Sequence, residues 1–138
     1  GVAANVGRIK GAIGYVEYAY AKKNKLTHMQ VQNQAGKYVN PDDTTFAAAA
    51  AGVDWFSAPG MGVSMVNAKG DSSWPISTAS FILMYKQPAD KAQSAEVLKF
   101  FDWSFKNGKQ MAAELDYVAL PDSLTNEIRS KVWSQIAK

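Results

Sequence analysis

The sequence predicts an α/β fold, because candidate strands alternate with candidate helices along its 138 residues. The clearest strand lies in residues 74–86, where a polar start leads into an apolar run without alternation. Such a run is typical of a strand that is covered on both faces. The clearest helix spans residues 91–107 and carries an apolar face made of Val97, Leu98, Phe101 and Phe105. The hydrophobic content of 47% is sufficient for a packed core in a chain of this size.

The first part of the chain is predicted to contain two short helices separated by a strand. A weak helical stripe is formed by Val2, Val6 and Ile9. Residues 12–16 are mainly apolar and predict a short buried strand. Residues 17–24 predict a helix, because an acidic residue lies in the first turn and lysines lie in the last, as the helix dipole favours.

The middle of the chain is predicted to form a hairpin, a helix and a loop. Residues 29–39 contain an alternating segment, a glycine-containing turn and a short return, which together indicate a hairpin. Residues 40–51 begin with Asn-Pro-Asp-Asp, continue into a run of alanines and are followed by Gly52, a pattern typical of a capped helix. Residues 53–62 are predicted to be a loop, and its expected anchors are Trp55, Phe56 and Met61.

The last part of the chain is predicted to be helical. After residues 91–107, the pair Asn107-Gly108 stops the helix, and residues 109–115 continue as a second short helix. Residues 116–121 are expected to be extended. The last helix is predicted to begin near Asp122 or Ser123, and its apolar residues recur at four-residue spacing as Leu124, Ile128, Val132 and Ile136.

Composition argues against several kinds of site. The chain has no cysteine, which removes disulfides, thiolate catalysis and zinc–thiolate sites. Its one histidine, His28, is interpreted as a surface residue. The sequence contains neither a Gly-x-Ser-x-Gly element, nor a phosphate-binding glycine loop, nor an Asp/Glu cluster with metal-ligand spacing. We therefore expect no catalytic residue, no cofactor and no metal site.

Charge and hydropathy narrow the possible partners. The net charge of +3 comes from basic and acidic residues that are scattered along the chain, without a Lys/Arg block. This distribution predicts no nucleic-acid partner. No apolar run reaches the roughly 18 residues that a membrane-spanning helix requires.

Two polar segments have both a structural and a ligand-binding interpretation. Residues 71–73 could form a small anion nest, although a solvated turn is the favoured interpretation. Ser77, Thr78 and Ser80 lie at the polar start of the central strand, close to a position where a cleft could open. Short polar residues also suit a hinge, and this structural use is favoured.

Four motifs, in matching order and spacing, resemble a known family. They are GAIGYVEYAYA at residues 11–21, WPIS at 74–77, VLKFFDW at 97–103 and LDYVALPD at 115–122. Together they resemble the periplasmic phosphate-binding proteins of bacterial phosphate ABC transporters, the PstS type. The resemblance covers essentially the whole chain.

The resemblance implies a periplasmic binding protein type II-like two-lobe α/β fold, of which this chain is the C-terminal portion. Residues 1–77 would be the remainder of the second lobe, and residues 82–138 the C-terminal part of the first lobe. Residues 78–81 would be the inter-lobe crossing strand, so the expected hinge residues are Thr78, Ala79, Ser80 and Phe81.

The resemblance also implies a function in transport rather than catalysis. The expected partners are inorganic phosphate, held between the lobes of the full-length protein, the membrane permease of the transporter and the missing N-terminal segment of the same protein. The implied location is the periplasm. The alternatives are a binding protein for another oxyanion such as sulfate or molybdate, a phosphatase-like protein, and a ligand-free interaction domain on the same fold.

The family's phosphate ligands have no counterpart in this chain. One of the family's ligand motifs is an arginine followed by Ser-Gly-Thr, and neither Arg8 nor Arg129 is followed by that string. We therefore predict that the chain contains no phosphate-binding residue and supplies scaffold and hinge.

Overall fold

A computed structural model describes residues 1–136 of the chain. Within these residues the α-helices are α1 Val2–Arg8, α2 Tyr18–Lys23, α3 Asp43–Ala51, α4 Lys91–Asn107, α5 Lys109–Glu114 and α6 Asp122–Glu127. Helix α6 continues into a π-helical turn over Ile128–Val132 and a 3-10 turn over Trp133–Gln135, and another 3-10 turn covers Pro59–Met61. The two strands β1 (Val31–Gln32) and β2 (Tyr38–Val39) form an antiparallel hairpin, in which Val31 lies opposite Val39.

The predicted hairpin is confirmed, and so are the predicted helices, except that the last one is α-helical only over Asp122–Glu127. Helix α4 begins after Asp90, whose carboxylate accepts the Gln93 N–H at 2.8 Å, and it ends at Gly108. Helix α3 ends at Gly52, as its sequence indicates. These elements form because their capping and stop residues act locally on the backbone.

The start of α3 is held by a capping box. One oxygen of the Asp42 carboxylate accepts the N–H groups of Thr44 and Thr45, both at 2.9 Å. In return, the Asp42 N–H donates to the Thr45 hydroxyl at 3.1 Å. The hydrogen bond from the Thr44 hydroxyl and the backbone bond from Thr45 hold the pKa of Asp42 below its usual value of 3.8.

We expect this cap to weaken in acid. Because the pKa of Asp42 is lowered in the folded state, its stabilisation is present above its ordinary pKa and is lost as pH falls through the folded pKa. Asp42→Asn keeps a capping oxygen that does not titrate. Urea unfolding should therefore show that the advantage of the parent over Asp42→Asn disappears as the pH falls from about 5 through the lowered pKa of Asp42. A difference in unfolding free energy that stays constant over this range would contradict the assignment.

The apolar core joins α3 and the loop after it to α6. Its buried members are Ala49, Ala50, Trp55, Met65, Ala68 and Leu124. The Trp55 indole N–H donates to the Ala50 carbonyl at 2.9 Å, so the polar edge of this buried ring is satisfied. Phe56 and Met61 are partly buried against the same cluster. The three predicted loop anchors are therefore confirmed.

The predicted buried strands are wrong for the described structure. Residues 74–86 contain no strand, and most of the apolar side chains in the second half of this run are exposed, including Leu83 at 92% and Tyr85 at 84%. Residues 12–16 are likewise irregular, and Tyr15 is 91% exposed. A strand that is buried on both faces needs neighbouring strands to pair its backbone groups. The two-stranded hairpin is the only sheet among residues 1–136, and neither segment pairs with it.

Candidate functional site

The entrance to the predicted crossing segment is fixed by backbone hydrogen bonds. The Trp74 N–H donates to the Thr45 carbonyl of α3 at 3.0 Å, and the Asn67 N–H donates to the Pro75 carbonyl at 2.8 Å. The Ser77 hydroxyl is buried and donates to the Trp74 carbonyl at 3.0 Å. The structure thus uses Ser77 internally, in agreement with the structural interpretation of this residue.

The four predicted hinge residues lie between this anchored turn and an exposed stretch. Thr78 and Ser80 are exposed, whereas Ala79 is partly buried against the core. The Phe81 ring is half-exposed, and its centroid lies 6.4 Å from that of Trp55. Residues 78–81 have no regular secondary structure, so their geometry is compatible with a connection whose polar side chains face water. Their role as a hinge stays a prediction.

The turn at residues 70–73 is held by a buried asparagine that the sequence analysis did not single out. Asn33 is only 5% exposed and lies next to the hairpin turn. Its side-chain N–H groups donate to the carbonyls of Gly70 (3.4 Å), Asp71 (2.8 Å) and Ser73 (3.2 Å). Its side-chain oxygen accepts the N–H groups of Ala35 (3.1 Å) and Lys37 (3.0 Å). The sequence signal for it was an asparagine directly before a Gln-Ala-Gly-Lys turn, where Asn favours local backbone bonds.

Ser73, the last residue of the possible anion nest at residues 71–73, is committed to internal contacts. Ser73 is fully buried, and its hydroxyl donates to the Lys69 carbonyl at 2.7 Å. The Ser73 N–H donates to the Gly70 carbonyl at 3.3 Å. These groups are not directed at a ligand, which favours the turn interpretation.

An open groove of about 430 Å³ lies between α4, α5 and α6, and cations line it. Lys106, Lys109 and Arg129 would suit an anion, but each has a carboxylate partner. Asp102 accepts from both Lys106 and Arg129, and Lys109 pairs with Asp122. The Lys106 bond, followed by the Arg129 bond, holds the pKa of Asp102 below its usual value. The positive charge of the groove is therefore largely balanced by the carboxylates of Asp102 and Asp122.

The remaining candidates for a site are the single histidine and the acidic side chains. His28 is exposed, with its Nδ1 atom 3.4 Å from the Leu26 carbonyl and its ring edge-on to Tyr18. Among residues 1–136 there is no group of three His, Cys, Asp or Glu side chains that could hold a metal ion. No helix in the same range has the length and apolar character that crossing a membrane requires.

Comparison with known proteins identifies the family. No family model matches the chain. It is 51% identical over 136 residues to the phosphate-binding protein PstS of Pasteurella multocida, 48% over 130 residues to that of Xylella fastidiosa strain 9a5c, and 47% over 131 residues to that of Haemophilus influenzae.

These alignments cover 99%, 94% and 95% of this chain, but 40%, 36% and 39% of the respective relatives. The chain thus spans about two fifths of the length of the relatives that it matches. Sequence identity near one half, sustained over almost every residue of the chain, confirms the resemblance of its four motifs. The chain belongs to the PstS family of phosphate-binding proteins.

Proposed function

We propose that the protein containing this chain is the solute-binding component of a phosphate ABC importer. In this proposal it captures inorganic phosphate between two α/β lobes in the periplasm and delivers it to the membrane permease, without catalysing a reaction. The observation that carries the proposal is the 51% identity, over 99% of this chain, to a protein named for phosphate binding.

Within that protein we assign this chain to the C-terminal part. Residues 1–77 contribute to the second lobe, residues 82–138 to the first, and residues 78–81 cross between them. The anchored turn at Trp74–Ser77 and the irregular segment after it support this division, because hinges are commonly a few loop residues that can change their backbone angles.

The chain's role is scaffold and hinge, and phosphate is held by residues outside it. A dehydrated phosphate needs unpaired N–H donors and a free guanidinium. Arg129 instead donates from Nε to Asp102 at 2.6 Å and from Nη1 to Asn126 at 2.8 Å. The other cations of the same groove are paired as well.

Titration calorimetry of the intact protein and of this chain alone tests the proposal. We expect the intact protein to bind phosphate in preference to sulfate and molybdate, and the isolated chain to bind none of them measurably. A preference for sulfate or molybdate would mean that the protein's ligand is another oxyanion. Phosphate binding by the isolated chain with the affinity of the intact protein would overturn the scaffold assignment. Turnover of a phosphate ester in the same preparation would contradict a purely binding function.

A further inference from the structure

Two polar contacts connect α2 with the turn after α5, almost 100 residues away. The Tyr117 hydroxyl donates to a carboxylate oxygen of Glu17 at 2.6 Å. This bond raises the pKa of Tyr117, so the phenol remains a donor throughout the neutral range. Five residues after Glu17, which is the N-cap of α2, the Lys22 ammonium near the end of this helix pairs with the Asp116 carboxylate. The pairing raises the pKa of Lys22 above its usual value.

The turn after α5 is shaped to present these two side chains together. Asp116 has a φ of +62°, a left-handed conformation that is uncommon for residues other than glycine. The turn is fixed because the Asp116 N–H donates to the Ala113 carbonyl at 3.0 Å and the Tyr117 N–H donates to the Ala112 carbonyl at 2.9 Å. Consecutive residues at 116 and 117 can therefore reach both the N-cap residue of α2, Glu17, and Lys22 within the helix.

We propose that Glu17, Lys22, Asp116 and Tyr117 form a polar latch that holds the two portions of the chain on either side of residues 78–81 at a defined separation. The inference rests on the proposed function, because it assigns α2 to one lobe and the turn after α5 to the other. In a two-lobe protein such a latch restrains the relative motion of the lobes.

The latch is suited to a reversible contact because its groups remain accessible to water. Lys22 and Tyr117 are each more than half exposed, so their polar groups can exchange a protein partner for water at small cost. The apolar cluster that also joins the two portions, through Trp55 and Leu124, is buried, so opening it would expose apolar surface to water at a larger cost. The latch therefore adjusts the separation, while the cluster maintains the attachment.

A distance measurement in the intact protein tests the latch. Spin labels at Lys23→Cys and Glu114→Cys flank it on exposed positions, and this chain adds no cysteine of its own. The latch variant is Tyr117→Phe with Lys22→Met, which removes both contacts while nearly preserving side-chain size. The matched control is Tyr20→Phe with Lys25→Met, since both of these residues are also exposed.

We expect the parent and the control to give the same narrow distance distribution. In the latch variant, the ratio of longer to shorter distances should rise about 2- to 10-fold, as expected for losing two exposed polar contacts. Each single variant should give an intermediate shift, so the result does not depend on one substitution. Distributions for the latch variant that match those of the control would overturn the latch.

Adding phosphate to the same labelled samples distinguishes a failure of the latch from a failure of the proposed function. Failure of the parent to bind phosphate would refute the proposed function, while the comparison of the distributions without phosphate would still decide whether the latch exists. Binding with normal affinity, combined with identical distributions in latch and control variants, would refute the latch alone.

Discussion

Replacing Trp55 with alanine is expected to lower the free energy of unfolding by about 3–5 kcal/mol, the usual cost of removing a large buried aromatic side chain. Trp55 is 6% exposed and lies in the apolar cluster that joins α3 to α6. Its loss also removes the bond from the indole N–H to the Ala50 carbonyl. Both effects act on the contact that connects the two portions of the chain.

The matched control for this prediction is Trp103→Ala. Trp103 lies on α4 and is 49% exposed, so its removal should cost less than about 1 kcal/mol. Urea unfolding of each variant, followed by far-ultraviolet circular dichroism, gives the two free energies. Equal losses at both positions would show that the cluster around Trp55 is not the stabilising core.

Replacing Asn33 with aspartate is expected to destabilise the protein by about 3 kcal/mol or more, because a buried polar contact becomes a repulsion. The Asn33 amide nitrogen donates to three backbone carbonyls. In Asn33→Asp an oxygen takes the place of that nitrogen, and a buried negative charge faces the same three carbonyl oxygens. The turn at residues 70–73, which leads into the predicted crossing segment, should then lose its hydrogen bonds to residue 33.

Two variants make this prediction specific. Asn5→Asp changes the same atoms on an exposed residue of α1, where the side-chain oxygen accepts from Arg8, so it should be close to neutral. Asn33→Ala removes the donors without adding a charge and should cost less than Asn33→Asp. Thermal unfolding and amide hydrogen exchange at residues 70–74 would report both effects. Faster exchange at residues 70–74 in Asn5→Asp, or an unchanged exchange rate at these residues in Asn33→Asp, would contradict the assigned role of Asn33.

Elements with local signals could be predicted well from the sequence. Helix α3 has its capping residues and its glycine stop within twelve residues, and α4 has an N-terminal Asp90 and a C-terminal Gly108. Caps and stops act on backbone groups only a few residues away, so their effect does not depend on the rest of the fold. The hairpin is similar, because its turn sets the pairing of β1 and β2.

Elements that depend on distant partners could not be predicted in this way. The apolar pattern of residues 74–86 predicts a buried strand, but a strand forms only when another strand pairs with it, and here most of these side chains are exposed. The bonds of Asn33 and the latch between Glu17 and Tyr117 join residues 37 to 100 positions apart. Such contacts leave no periodic signal in the chain.

The family, the helices and the hairpin could be predicted from the sequence, because motifs, caps and turns depend on neighbouring residues. Which polar groups already have a hydrogen-bond partner became clear only from the folded arrangement. It pairs Arg129 with Asp102, commits Ser73 and Ser77 to backbone carbonyls, and brings Tyr117 to Glu17. The physical reason is that a hydrogen bond depends on distances in space of about 3 Å, which the order of residues does not specify.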